Sequence, residues 1–447
     1  MKSHEAEDAA LLQLQARRLL ERAARAGDQT AVRLLDRLSG DGTALPGHQS
    51  IPLLGDARPD NARSIWSFAE MTTLRVGGLP AQLVDAEEEA GLIGAVRAAD
   101  DDGVPLLVVG GGSNLLVADE GFDGTVVRDI RSGITVESVD AIHGVVVNAP
   151  AGQNWDQFVE RAVDEGWVGV ESLSGIPGTV GAAPVQNIGA YGQELSGVVS
   201  LVRTWDRAER RVRTFSVGEL GFGYRTSLLK RSMHSEGRSD DPLAPWYPSP
   251  RYVVLNVQFQ FRLGTLSAPV GYGELARRLG VEVGQRAPMR GVRETVLGLR
   301  GGKGMLLDNP PFGAEPDHDR WNSGSFFSNP VIPVEHLAHL PEDAPRYPVR
   351  SSTPETTTGP SLGAIDPALV KTSAAWLIER AGFGKGYGLE GENSRATLST
   401  KHTLAMTNRG GARAEDVVAL ARAVRDGVRG RFGVTLVPET VLVGVSL

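Results

Sequence analysis

The chain has no cysteine in 447 residues, which excludes disulfides, thiolate metal sites and cysteine nucleophiles together. That absence fits a reducing compartment, and the cytoplasm is the expected location. Nowhere is there the roughly eighteen-residue apolar run that a membrane-spanning helix requires. The first thirty residues carry Glu5, Glu7 and Asp8 and no apolar stretch, so no secretory leader is expected. Positive charge is also scarce: 46 Lys and Arg stand against 54 Asp and Glu. A general nucleic-acid binder needs clustered cations to neutralise phosphates, so that class is excluded, although a local basic patch for a diphosphate is not. The histidines show no H-E-x-x-H spacing. Adjacent residues such as Asp317-His318-Asp319 cannot all face one ion, so an exposed loop is expected there and no metal. Oligomeric state is not fixed by the sequence, with a monomer slightly favoured.

What is present reads as a soluble α+β protein of two or three domains, since 447 residues exceed one ordinary core. Leucines and valines at helical spacing over residues 8–38, broken by Gly27, predict a helical appendage, and residues 40–62 have the Gly, Pro and Asp content of a linker. Residues 1–65 are therefore expected to form a helical or disordered extension. A strand at 82–85, a helix over 87–101 stopped by Gly103, and a short strand at 106–109 follow. Asn154 opens a helix with Trp155, Phe158, Val159, Ala162 and Val163 on its apolar side. Residues 201–205 and 211–215 bracket a polar turn as a hairpin, and the strict alternation of Val253, Leu255, Val257, Phe259 and Phe261 predicts a strand with one buried face. Beyond 264 the pattern turns helical at 272–280 and 289–301. Pro/Thr/Gly-rich loops cover 233–250 and 353–364, a long amphipathic helix carries Val417, Leu420, Ala421, Val424 and Val428, and a last strand is expected over 435–443. The domains are expected at 66–265 and 266–447.

Four stretches carry chemistry. The strand at 106–109 runs into Gly110-Gly111-Gly112-Ser113-Asn114, where the lack of Cβ atoms lets backbone amides turn toward one anion. Alone, such a stretch is usually only a turn. A second run, residues 174–192, has almost no large side chain, and the two lie 60 positions apart (114 to 174). Two small-residue loops suit one long ligand such as a dinucleotide, and neither has the G-x-G-x-x-G spacing of a Rossmann site. In Gly324-Ser325-Phe326-Phe327-Ser328-Asn329-Pro330 no nucleophile elbow surrounds the serine, and a strand with a buried hydroxyl is the plainer reading. Glu439, in Pro438-Glu439-Thr440, has nothing in its spacing to mark it out from a surface residue.

Together these stretches resemble the UDP-N-acetylenolpyruvoylglucosamine reductase family. The matching pieces are Thr72-Thr73-Leu74-Arg75-Val76-Gly77-Gly78, Val109 to Leu116, Ser174 to Gly192, Phe222-Gly223-Tyr224-Arg225-Thr226-Ser227, Gly324 to Pro330, and Leu436-Val437-Pro438-Glu439, in that order. The resemblance implies an FAD-binding domain of the vanillyl-alcohol-oxidase type followed by an α/β substrate domain, with the site between them. It implies a UDP-N-acetylmuramate dehydrogenase of peptidoglycan synthesis, in which NADPH reduces FAD and flavin N5 passes hydride to the enolpyruvyl methylene carbon. By the same resemblance Arg225 and Glu439 stabilise the resulting negative charge and Ser325 supplies the proton. Glu439 helps only if it carries a proton or orients a donor.

FAD contacts are implied at Val109, Gly110, Gly111, Gly112, Ser113, Asn114 and Leu115. A second set is implied at Ser174, Gly175, Ile176, Pro177, Gly178, Gly181, Ala182, Gln186, Asn187, Gly189, Ala190, Tyr191 and Gly192. Substrate contacts are implied at Tyr272, Lys303, Asn329 and His402, with Tyr272 resembling a mobile-loop tyrosine over the UDP group. The N-terminal extension, an insertion at 309–316 and the Pro-rich loop after 233 depart from the family pattern. Two other readings stand beside this one: another FAD oxidase of the same flavin fold, and a UDP-sugar-binding protein without catalysis.

Overall fold

The computed structural model describes residues 66–140, 144–233, 246–307, 315–350 and 364–447, all within one compact unit, Ile51–Leu447. The helix expected at 8–38 and most of the two Pro-rich loops lie outside the described residues.

Three parallel strands come first, in the order Pro80–Ala86, Phe122–Asp129, Leu106–Val109. The helix Glu89–Asp101 lays Leu92, Val96 and Ala99 on one face of this sheet, against Leu106 and Val127. Phe68 and Met71 cover the other face with Leu107, Val109 and Val126. A strand covered on both faces has no use for alternation, which is why residues 106–109 read Leu-Leu-Val-Val.

A second, antiparallel sheet runs Arg211–Ser216, Val199–Asp206, Tyr252–Leu263, Gly144–Pro150, Thr135–Asp140. The predicted hairpin is its first pair, and Asp206 fixes the turn by accepting from the backbone N–H of Ala208 and Glu209. Val257, Phe259 and Phe261 face the helix Trp155–Asp164, where Trp155 and Phe158 pack on them; the Phe158 and Phe259 rings lie 4.6 Å apart. Asn154 caps that helix, its side chain accepting from Gln157 N at 3.0 Å.

The C-terminal core is separate. Helices Ala374–Arg380 and Ala414–Phe432 pack with the pair Ala396–Leu398 and Met406–Asn408 and with Ile332 and Val370 of a three-stranded sheet. The long helix buries Val417, Leu420, Ala421, Val424 and Val428, starts with Glu415 and Asp416 and ends at Gly433 in the left-handed conformation.

Three expectations need correction. The final strand covers only Val441–Val443, because Pro438 has no N–H to donate and makes an isolated bridge with Phe327 instead. Residues 324–330 form no strand beyond that bridge. Asp317-His318-Asp319 is not an exposed loop: Asp319 is buried, accepts from both Thr400 N and Thr400 Oγ1, and pairs with Arg409. Its carboxyl is held below the usual range: burial works to raise it, and the hydrogen bonds from Thr400 outweigh that.

Candidate active site

The strand Val441–Val443 runs parallel to Leu115–Val117, so the end of the chain returns to the first glycine loop. Asn114 makes the join. Its carbonyl accepts from Val441 N at 3.0 Å, and its Nδ2 donates to Glu439 O at 3.1 Å and to Gln186 Oε1 at 3.2 Å. One side chain thereby ties both small-residue loops to the segment carrying Glu439.

The loops also touch each other. Ser113 Oγ donates to Pro177 O, a Cβ at Gly110 would meet Thr179 Oγ1 at 2.6 Å, and one at Gly111 would meet Gly178 Cα at 2.7 Å. At Gly111 glycine is required by backbone-to-backbone approach. Both loops line one cavity of about 470 Å³. All seven residues from Val109 to Leu115 reach it, as do Ile176, Pro177, Gly178, Gly181, Ala182, Gln186, Gly189, Ala190 and Tyr191.

Ser174, Gly175, Asn187 and Gly192 do not line the cavity. Ser174 is buried and donates to Glu171 O; Gly175 N donates to Asp156; Asn187 bonds Glu194, Gly223 and Ser196; Gly192 packs against Gly271. These four support the wall.

A dinucleotide fits this cavity on one further observation. Among the described residues, none accepts a hydrogen bond from the backbone N–H of Gly110, Gly111, Gly112, Ser113 or Asn114. Five successive unspent donors at a cavity wall suit the oxygens of a diphosphate.

Arg225, Ser325, Glu439, Tyr272, Lys303 and His402 line the same cavity. Arg225 Nε lies 3.0 Å from Glu439 Oε1, and the guanidinium donates to Gly189 O at 2.7 Å. Glu439 N donates to Phe326 O, and Phe326 N donates to Leu404 O, so Ser325 adjoins a segment bonded on both sides. Phe326 and Phe327 are fully buried and anchor it. His402 belongs to the neighbouring turn, its Nδ1 accepting from Leu404 N at 3.1 Å. Burial, with Lys303 and Lys385 nearby, lowers its pKa from 6.5 to about 4, leaving it uncharged at neutral pH.

Asn329 is placed elsewhere. It lines a neighbouring cavity that shares Arg225, Lys230 and Glu439 with the first, and its Oδ1 accepts from Ala374 N.

Three cations of the cavity wall, Lys230, Arg300 and Arg320, belong to no motif quoted above, and Arg320 is held by Leu307 O and Asp317. Lys230 donates from Nζ to Arg225 O at 3.2 Å, and burial lowers its pKa. Its signal was its place five residues after Arg225. Arg300, one helical turn before Lys303, is buried and donates to Gly175 O and Met305 O.

Comparison with known proteins gives the family. A family model described as "FAD binding domain" matches residues 80–208, and one described as "UDP-N-acetylenolpyruvoylglucosamine reductase, C-terminal domain" matches 315–443. The UDP-N-acetylenolpyruvoylglucosamine reductase of Cutibacterium acnes is 46% identical over 408 residues, 91% of this chain and 93% of the relative. That of Nocardia farcinica is 48% identical over 406 residues, 91% of this chain and 96% of the relative. Among solved structures, the Thermus caldophilus enzyme covers 85% of this chain and 97% of its own at 23% identity and a TM-score of 0.49. On the identity and coverage of these curated relatives, the chain belongs to the UDP-N-acetylenolpyruvoylglucosamine reductase family.

Proposed function

We propose that this chain reduces the enolpyruvyl ether of UDP-N-acetylglucosamine to UDP-N-acetylmuramate at the cavity described, with Arg225, Ser325 and Glu439 as its reacting side chains. The observation that carries the reading is their convergence, from three distant parts of the sequence, on a cavity walled by both small-residue loops. The FAD-binding part is read as 66–265 and the substrate part as 266–447; the two family matches fall on either side of residue 265.

The loops over residues 109–115 and 176–191 would hold FAD, which would supply to the enolpyruvyl methylene carbon a hydride drawn from NADPH. Negative charge then develops on the neighbouring carbon and spreads into the carboxylate. Arg225 stabilises it: a planar guanidinium matches a carboxylate with two donors. Glu439 acts by holding that guanidinium, since its Oε1 sits on Arg225 Nε and leaves the Nη groups to other acceptors. Lys230 bonds the Arg225 carbonyl and adds positive charge behind the pair. Ser325 Oγ gives its proton to the carbanion, which is basic enough to take it from a placed hydroxyl, and recovers one from solvent. Lys303 and Tyr272 serve the UDP end. His402, uncharged, offers a hydrogen bond there and no charge.

The small-molecule partners are thus NADPH and the UDP-sugar ether. No helix among the described residues is long and apolar enough to cross a membrane. The test uses the FAD-loaded protein without oxygen. NADPH should bleach its visible absorbance, and one equivalent of the enolpyruvyl sugar should restore it while UDP-N-acetylmuramate appears. Recovery of colour with oxygen only, and none with the sugar, would identify an oxidase instead.

A further inference from the structure

Two residues after Tyr272 stands Glu274, whose Oε2 lies 3.0 Å from Lys303 Nζ. The partners come from successive helices: Glu274 is in the first turn of Gly273–Leu279, and Lys303 caps the C-terminus of Met289–Gly302. Leu275 and Ala276 pack with Val292, Val296 and Leu299, so the two backbones are fixed by a shared core. The charged tips are not buried: the side chains are 28% and 32% exposed, free to change partners while their helices stay in place. Lys303 Nζ also lies 5.6 Å from the Tyr191 ring centre, and Tyr191 meets Tyr272 edge-on at 5.5 Å. Tyr191, Tyr272 and Lys303 line the cavity, whereas Glu274 reaches Lys303 from outside its wall.

Arg300, one turn earlier, provides the contrast. It is buried and held by two backbone carbonyls, through Nε and Nη2, with no carboxylate paired to it among the described residues. Of these two cations, Arg300 is locked in place and Lys303 is neutralised by a carboxylate. A diphosphate arriving at Lys303 meets a neutral pair and a repelling Glu274, not a free ammonium.

We infer that Glu274 is a resident counter-ion of Lys303 that the diphosphate of an incoming nucleotide must displace, and that it thereby sets how tightly this cavity takes UDP-bearing ligands. The inference rests on the reading that Lys303 serves the diphosphate. An exposed ion pair contributes little, so the effect is modest: removing Glu274 tightens binding by roughly twofold to fivefold. It also makes binding more sensitive to salt, because Lys303 then loses only mobile counter-ions when the ligand arrives.

The test is calorimetric titration of the FAD-loaded full chain with UDP, in low and high salt. Glu274→Gln keeps the side-chain shape, and Glu274→Ala serves as a second variant if the first retains less flavin. The expected result is tighter UDP binding and a steeper salt dependence than in the unsubstituted protein. In the Lys303→Met background, Glu274→Gln should produce no tightening, because the competitor then has nothing to compete for. Unchanged or weaker UDP binding by Glu274→Gln, with Lys303→Met alone weakening it, would overturn the counter-ion role and leave Lys303 in place. If Lys303→Met alone left UDP binding untouched, the reading of Lys303 itself would fall, and this inference with it.

Discussion

Arg225 adopts a φ of +53°, a left-handed backbone that costs an ordinary residue about 1 kcal/mol. Contacts on either side hold it there: Lys230 bonds its carbonyl, Gly189 O and Glu439 take its guanidinium, and Gly223 and Thr226 exchange hydrogen bonds around it. Strain kept in this way aims the side chain. His402 shows the same economy of charge. Its folded pKa of about 4 lies below the ordinary 6.5, so between those values the unfolded chain binds the extra proton. Stability is therefore full above about pH 6.5 and declines as pH falls through about 4, by up to about 3 kcal/mol. Thermal midpoints of the protein and of His402→Gln, compared from neutral pH to about pH 4, check this. The substitution should flatten the acid limb, and parallel limbs would mean His402 does not set it.

Among the elements, those that announce themselves are those whose burial follows one period. The helix Ala414–Phe432 was legible because its stripe of Val, Leu and Ala faces a core along its whole length. The final strand was drawn too long because it was carried through Pro438, which makes only an isolated bridge. Asp319 was read as exposed because nothing local reveals a threonine 81 positions away that satisfies it. The glycine loops were legible as small-residue runs, but not the reason for them. Sequence suggested space for a ligand between the loops; the structure shows them packed on each other and facing the cavity together. That closeness makes a prediction. Gly111→Ala places a Cβ 2.7 Å from Gly178 Cα, where neither backbone can yield cheaply. Overpacking of this kind predicts roughly tenfold weaker FAD retention, read as visible absorbance per protein after dialysis. Full retention would mean the loops separate without cost.

Across the whole molecule, the side chains proposed to act on the substrate come from positions 225, 325 and 439, and the ladder between Leu115–Val117 and Val441–Val443 brings the last of them home. No spacing rule predicts such a meeting, since it depends on which strands pair. It was readable only through the order of six motifs resembling one family. Asn329 shows the limit of that route: it stands within the Ser325 motif, yet the fold turns it into the adjoining cavity. The most direct test of the account is to separate the two half-reactions in Ser325→Ala without oxygen. Flavin reduction by NADPH should proceed almost as before, and reoxidation by the enolpyruvyl sugar should slow by at least about a hundredfold. An equal loss in both halves, or normal reoxidation, would contradict the assignment of the proton to Ser325.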